Sequence, residues 1–476
     1  MKQISLIKSG FWITYSTFIT RFFALLSNLV LARLLQPSEF GVIGVAYVFW
    51  SFFTLFTQST TGSFIIYKGT EDQRYLNTTY TISLGIGLTF SLAMIASSPL
   101  IASFFNQPNL TWILIVFAGN LLLSSVFCIY SAIMTRQLQY RELANINFIS
   151  CMTRLLSTIG SALLGLSYWS FVIGDTASWI IGCILTRYKS GHNLRLEINP
   201  LVKSEVLSFC LGSTGSSFGF YMNANLDNFV VGKVLGSTSL GYYNLAYQLT
   251  MALSTIFNSV IGQLGMPIFA QIDEQQQEDT LFKVVEQVAF ITAPIYALIF
   301  LVTDKEFISL VFGSQWTPLC IVIPWLLIFA YFRVINNPLD SMLSAKGRPD
   351  INAKVNLYIA PLAVLSFFIG AIYKGILGVS IAVAFILGLF WTFAWWWAGC
   401  KQFGWSMRKF FMYAFTPIFL VISPLVVSIN LPIGIKEIVF ILLYAFNIRF
   451  FFPQQFTKYK NIADKSVNWL KARYAR

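Results

Sequence analysis

Charged residues are scarce in this chain: Asp, Glu, Lys and Arg make up 11% of its 476 residues, against roughly 25% in a soluble domain. That scarcity excludes an ordinary soluble enzyme or binding domain. Short segments that alternate apolar and polar residues are missing too, which excludes a transmembrane β-barrel. There is a single histidine, His192, so a His-rich metal site is excluded. The six cysteines (Cys128, Cys151, Cys183, Cys210, Cys320 and Cys400) fall inside or at the edge of apolar runs, and none forms a CxxC pair. They read as small buried hydrophobes. No catalytic group, metal or cofactor is expected.

What is present is apolar length. Hydrophobic residues make up 56% of the chain, the mean hydropathy is +0.68, and runs of about 20 apolar residues recur along it, as spanning helices require. Lys2 and Lys8 precede an apolar stretch as in a signal peptide. The stretch from Phe11 to Leu34 is too long for one, contains Arg21 and lacks a small-x-small cleavage pattern, so it reads as a retained first span. The fold class is an all-α polytopic membrane protein of about fourteen transmembrane helices. They are placed at 11–34, 40–66, 76–104, 111–134, 146–166, 168–186, 206–232, 240–270, 284–303, 317–345, 354–372, 377–399, 410–430 and 433–452.

Lys and Arg in the short loops set the orientation. Counted on alternate sides, 23 lie on the side of the N-terminus and four (Lys233, Lys305, Lys374 and Lys436) on the other. Both termini are therefore expected in the cytoplasm, and the formal charge of +13 needs no nucleic acid to explain it. In the tail, 453–476, Tyr459, Ile462, Ser466, Leu470 and Tyr474 recur at helical spacing among basic residues. That suits a basic amphipathic helix lying on membrane lipids, or equally a frayed end.

Residues 28–47, NLVLARLLQPSEFGVIGVAY, align without a gap on 228–247, NFVVGKVLGSTSLGYYNLAY, at an offset of 200. Asn28/Asn228, Val30/Val230, Leu35/Leu235, Gly41/Gly241, Ala46/Ala246 and Tyr47/Tyr247 are identical, and Arg33/Lys233 keeps its charge. Six spans separate the copies, so both run in the same direction through the membrane. The expected organisation is two parallel six-helix lobes, 1–190 and 206–400, as in transporters with two lobes around a central site. Two additional helices follow over 408–452.

Arg21, Arg154, Asp175, Asp227, Arg333 and Asp340 lie within predicted spans. Each would cost about 2.5–3.5 kcal/mol facing lipid, so each should face the bundle interior or water. By depth, Arg21 and Arg333 fall near the midplane, Asp227 toward the outer side and Asp340 toward the inner side. Arg333 and Asp340 are seven residues apart and share one helix face, with Asn336 and Asn337 between them and Pro338 expected to loosen that helix. One reading is that these charges pair across helices and fix packing. The other is a cationic cavity in which Arg21, Arg154 and Arg333 bind an anionic head group through the planar guanidinium fork. In that reading Asp175, Asp227 and Asp340 couple transport to H+ or Na+, and the sequence does not choose between those ions.

The segment LARLLQPSEFGVIGVAYVF (31–49) resembles the helix 1–2 signature of the polysaccharide transporter family, the Wzx-like branch of the multidrug/oligosaccharidyl-lipid/polysaccharide (MOP) flippase superfamily. SAIMTRQLQYRELA (131–144), LGSTSLGYYNLAYQL (235–249) and MLSAKGRPDINAKVN (342–356) resemble family segments in the same order, nearest to colanic-acid-exporter-like proteins. The resemblance covers roughly 5–400. It implies a V-shaped pair of lobes, alternating access, and an undecaprenyl-pyrophosphate-linked oligosaccharide (an O-antigen, capsule or exopolysaccharide unit) flipped from cytoplasm to periplasm across a bacterial inner membrane. It also implies that Arg21 matches a functional arginine in helix 1 of related lipid-II flippases, which carry two extra C-terminal helices as well. A polysaccharide polymerase and other assembly proteins are the implied partners. Arg333, Asp227 and Asp340 rest on burial alone.

Three alternatives are weaker. A multidrug/cation antiporter of the same superfamily favours acidic, aromatic cavities, whereas three of the six intramembrane charges here are arginines. A membrane glycosyltransferase or polysaccharide polymerase needs sizeable external loops, and the longest here, about 304–316, offers only Asp304, Lys305 and Glu306 as charged groups. A structural scaffold would not need isolated charges at the midplane.

Overall fold

In a hydrocarbon layer no water satisfies backbone polar groups, so a spanning segment must bond to itself, and the helix does this. The computed structural model describes residues 2–457, apart from 59, 60, 270, 271 and 349, and holds no strand among them. The helices are α1 (Lys2–Leu34), α2 (Pro37–Gln58), its continuation α3 (Thr61–Lys68), α4 (Gln73–Phe104), α5 (Leu110–Arg136), α6 (Tyr140–Leu163), α7 (Trp169–Ser190) and α8 (Pro200–Val230). They continue with α9 (Gly236–Phe269), α10 (Glu274–Val302), the short α11 (Lys305–Val311), α12 (Leu319–Ala345), α13 (Asp350–Ala382), α14 (Trp391–Phe403), α15 (Met407–Ser428) and α16 (Ile435–Phe451). Ten stretches are long and apolar enough to cross a membrane on length and composition alone, and one of them, Asp350–Phe403, is 54 residues long. Non-helical backbone at Lys374 and Gly375 breaks that stretch in two. The second part runs through the π-helical residues Val383–Phe390 into α14. This is a multi-pass, all-helical membrane protein, and the positions of its helices match the fourteen expected spans. The tail reading from residue 458 onward lies outside the described residues.

Four turns carry the duplication further than the sequence identities do. The positive-φ residues Asn106, Leu138, Gly165 and Gly191 have counterparts in Gly313, Gly347, Gly375 and Gly404, spaced 207, 209, 210 and 213 residues away. Backbone of this kind strongly favours glycine, so its recurrence after successive helices marks one chain path laid down twice.

The chain divides into two compact units. The first comprises Met1–Gln271 and Ile308–Ala398, the second Ile272–Phe307 and the chain from Gly399. Helix α10, placed by the sequence reading in the 206–400 block, belongs to the second unit with α15 and α16. Named contacts hold it there. Lys409 pairs with Glu278 at 3.2 Å and Asp279 at 2.9 Å, and the Tyr444 hydroxyl donates to the Phe290 carbonyl at 3.1 Å.

Within the first unit α9 packs on α12 and α2, and α6 lies between α1 and α7. The closest approach of α2 and α9 is reciprocal. A Cβ on Gly41 would sit 1.7 Å from the Ser237 carbonyl oxygen, and one on Gly241 would sit 1.8 Å from the Pro37 carbonyl oxygen. Only the missing side chain lets the two backbones meet. Around this crossing the Trp316 indole donates to the Ala32 carbonyl at 2.8 Å, Arg33 donates to the Val311 carbonyl at 2.7 Å, and Phe40 meets Trp316 edge-on at 5.0 Å.

Candidate functional site

The helices bring the intramembrane charges together in two clusters. In the first, Tyr47 on α2, Arg154 on α6 and Asp175 on α7 form a closed triangle. Arg154 Nε lies 2.5 Å from Asp175 Oδ1, Arg154 Nη2 donates to the Tyr47 hydroxyl at 3.1 Å, and that hydroxyl donates to Asp175 Oδ2 at 2.6 Å. The Tyr47 ring stacks on Phe117 at 5.7 Å. Each charge here has its opposite, and the hydroxyl serves both. An ion pair satisfied in this way is costly to break from one side. The pairing that the sequence left open is thus made for Arg154 and Asp175, which occupy each other.

The second cluster is a row. Arg333 on α12 donates to the Tyr247 hydroxyl at 3.0 Å, and its guanidinium lies 5.7 Å from the Phe329 ring centroid. The Tyr247 and Tyr243 rings are 6.2 Å apart, and the Tyr243 hydroxyl donates to Asp227 Oδ2 at 2.6 Å. Asp227 is 2% exposed and accepts a further bond at 2.8 Å from the Asn228 amide. Among the described residues Arg333 has no carboxylate within ion-pair distance. Its charge is held in place but not neutralised.

Arg333 and Asp340 share a wall, as their spacing requires. They line a cavity of about 310 Å³ together with Asn258, Asn336, Asn337, Asn352, Asn356, Trp391 and Trp395, among others. Helix α12 runs unbroken through Pro338, so the loosening expected there does not interrupt it; the backbone departs from helix at Lys374–Gly375 instead. The amides are ordered by one another. Trp391 Nε1 donates to Asn356 Oδ1 at 2.7 Å, Asn356 Nδ2 to Asn352 Oδ1 at 2.6 Å, and Asn352 Nδ2 to Asp340 Oδ1 at 2.7 Å. Asn336 accepts from Trp396 Nε1 at 2.9 Å and donates to Thr392 at 2.7 Å, and Asn337 bonds to Asn258. A chain of donors all directed at one carboxylate is polarised along its length.

Arg21 joins neither cluster. It is exposed on α1 and takes no hydrogen-bond or ion-pair partner among the described residues. Asn258, Asn352 and Asn356 escaped the sequence reading. The available signal was a pair of i, i+4 repeats, Asn352/Asn356 and Trp391/Trp395, each of which puts two like side chains on one helix face. Among the described residues no group of three or more His, Cys, Asp or Glu side chains is placed to hold a metal ion. A second cavity, of about 420 Å³, lies between α2, α4 and α8 with Val48, Phe49, Phe52, Phe53 and Phe229 in walls that are almost wholly apolar.

Comparison with known proteins adds three findings. A family model described as "Polysaccharide biosynthesis protein" matches residues 30–321. The lipopolysaccharide biosynthesis protein WzxC of Escherichia coli (strain K12) is 24% identical over 434 residues, covering 89% of this chain and 87% of that one. Two solved structures share the architecture. A lipid II flippase, MurJ, in an inward closed conformation superposes with a TM-score of 0.75 at 12% identity over 93% of this chain and 99% of its own. An inward-facing multidrug resistance MATE family transporter of the MOP superfamily gives 0.58 at 14% identity, over 84% and 98%.

Proposed function

The chain belongs to the polysaccharide biosynthesis protein family and has the fold of the MOP flippases, and on that footing we propose that it is a flippase for a lipid-linked oligosaccharide. The substrate is an undecaprenyl-pyrophosphate-linked glycan, and the direction is from the cytoplasmic to the periplasmic leaflet of a bacterial inner membrane. Both termini lie in the cytoplasm, and the lobes 1–190 and 206–400 alternate in exposing the site. One observation carries the reading: Arg333 sits unneutralised on the wall of an asparagine-lined cavity inside a membrane-spanning bundle. A guanidinium held by a neutral hydroxyl keeps its full charge for a ligand, and its planar fork matches a phosphate edge. The apolar cavity beside Phe49 and Phe52 supports a substrate with a hydrocarbon part. The crossing at Gly41 and Gly241, with Trp316 bonded across it, is the closed outer end of the path in this state. Asp227 and Asp340 are the groups at which H+ or Na+ would be coupled. Asp340, exposed beside Arg333 in the cavity, is the one in contact with the substrate path.

The test is reconstitution in vesicles with an undecaprenyl-pyrophosphate oligosaccharide, scored by its access to a membrane-impermeant glycosidase on each side. Protein-dependent crossing that falls to background in Arg333→Ala is expected. No crossing, together with gradient-driven export of a cationic dye, would overturn the reading in favour of the antiporter.

A further inference from the structure

A phosphate needs cations, and the cavity beside Arg333 has only that one. The rest of its wall is of another kind. It offers five asparagines, one carboxylate and two stacked indoles, Trp391 and Trp395, 5.7 Å apart and inclined by 25°. We propose that this cavity is a saccharide subsite, which takes one uncharged pyranose ring of the carried glycan and whose specificity is set by Trp395, Asn352 and Asp340. The inference rests on the flippase reading and adds to it a second binding function in the second lobe.

Three observations carry it. Trp395 is fully buried, lines the cavity, and its Nε1–H has no partner among the described protein atoms. A buried donor left without a bond is destabilising, and the indoles of Trp391 and Trp396 are used: Trp391 donates to Asn356 and Trp396 to Asn336. Trp395 is therefore the one of the three whose donor is left for a ligand oxygen. Secondly, the relay from Trp391 through Asn356 and Asn352 ends on Asp340 Oδ1, which leaves Oδ2 as a second acceptor on a carboxylate that lines the cavity. Asn352 Nδ2 keeps a second N–H. A donor and an acceptor side by side match the two hydroxyls of a vicinal diol, each of which both gives and takes a hydrogen bond. Thirdly, the about 310 Å³ lies at the small end of the range for ligand sites. That is room for one ring against an aromatic wall, whose apolar face suits the C–H face of a pyranose.

The amide-rich wall also sorts ligands. Desolvated amides bind a partner that returns hydrogen bonds and reject one that leaves them unpaired. An uncharged polyhydroxylated ring meets this demand, and a flat hydrophobic drug does not.

The experiment is saturation-transfer NMR and competitive calorimetry on the full-length protein in nanodiscs, with methyl α-glucoside, methyl α-galactoside and methyl N-acetylglucosaminide as probes and glycerol as control. At least one glycoside should bind, selectively over the others and over glycerol. Trp395→Phe keeps an aromatic ring, smaller than the indole, and removes the N–H, and should weaken binding about fivefold or more. Asn352→Leu should do the same, as a second variant should Trp395→Phe fold poorly. Absence of glycoside binding, binding no better than glycerol, or unchanged affinity in both cavity variants would each overturn the inference with flipping of the lipid-linked glycan intact. Selective glycoside binding without flipping would instead sink the flippase reading and leave the saccharide site standing.

Discussion

Tyr47 and Tyr247 occupy the same position in the two copies of the repeat, and each receives an arginine on its hydroxyl, Arg154 at 3.1 Å and Arg333 at 3.0 Å. The arginines come from non-equivalent helices, α6 and α12, and of the two only Arg154 forms an ion pair with an acid among the described residues. The same tyrosine therefore supports a neutral joint in one lobe and a free cation in the other.

This asymmetry makes the two arginines separable. Arg154→Ala strands Asp175 and should lower stability by roughly 2–4 kcal/mol, after allowance for the partial exposure of the guanidinium. The double change Arg154→Leu with Asp175→Leu should recover most of the loss. Arg333→Ala should keep the melting temperature in detergent within about 2 °C and abolish transport. Equal stability losses in the two single variants would contradict the distinction.

The glycine crossing predicts its own variants. Gly41→Ala or Gly241→Ala drives a methyl into the facing backbone and should cost about 1–3 kcal/mol as the helices part. Ser237→Cys should then react with a membrane-impermeant maleimide added outside, and resist it when both glycines are kept. Labelling that is the same with and without the alanine would show that the crossing does not close the path.

Coupling is tested at Asp227 and Asp340, the candidate intramembrane acids without an ion-pair partner among the described residues. Asp227→Asn and Asp340→Asn should each change how transport in vesicles depends on an imposed proton or sodium gradient. An identical dependence in both variants and the parent protein would remove them as coupling groups.

Outside the spans, Asp72 caps α4 by accepting from the Arg74 amide at 2.9 Å. The Arg74 guanidinium, followed by that amide bond, holds its carboxyl below the usual range. A depressed carboxylate stabilises above its ordinary pKa, near 4, and that contribution is lost as pH falls through the lower folded value. The protection of amides 73–77 from hydrogen exchange, taken relative to the intrinsic rate at each pH, should therefore fall in acid. Asp72→Asn should keep the cap but lose this pH dependence.

Orientation is open to reporter fusions. A phosphatase fused after residue 457 should be inactive and one inserted in the 304–316 loop active. The reverse pattern would invert the assignment of both termini to the cytoplasm.

Span positions and the repeat were legible in the sequence because apolar length and identity at fixed offset are local properties. So was the shared face of Arg333 and Asp340, which follows from seven residues of helix. The identity of each charge's partner was not legible, since it depends on which helices touch. Arg154 and Asp175 pair only because α6 packs on α7. The contact of α10 with α15 was not legible for the same reason: Lys409, Glu278 and Asp279 lie on helices more than 120 residues apart, and nothing in either segment announces the other. The asparagine cavity was missed because single amides carry no signal until three helices, α9, α12 and α13, bring them together.

The reciprocal contact of Gly41 with Ser237 and of Gly241 with Pro37 is the pattern of an isologous interface, in which each partner presents the same surface to the other. Drawn within one chain, it is the seam that two separate copies of a six-helix half would make by dimerising. A gene encoding one such half would already have possessed this crossing. Fusion of two halves would then have freed each copy to diverge around it, so that one tyrosine kept a neutralised arginine and the other an available one.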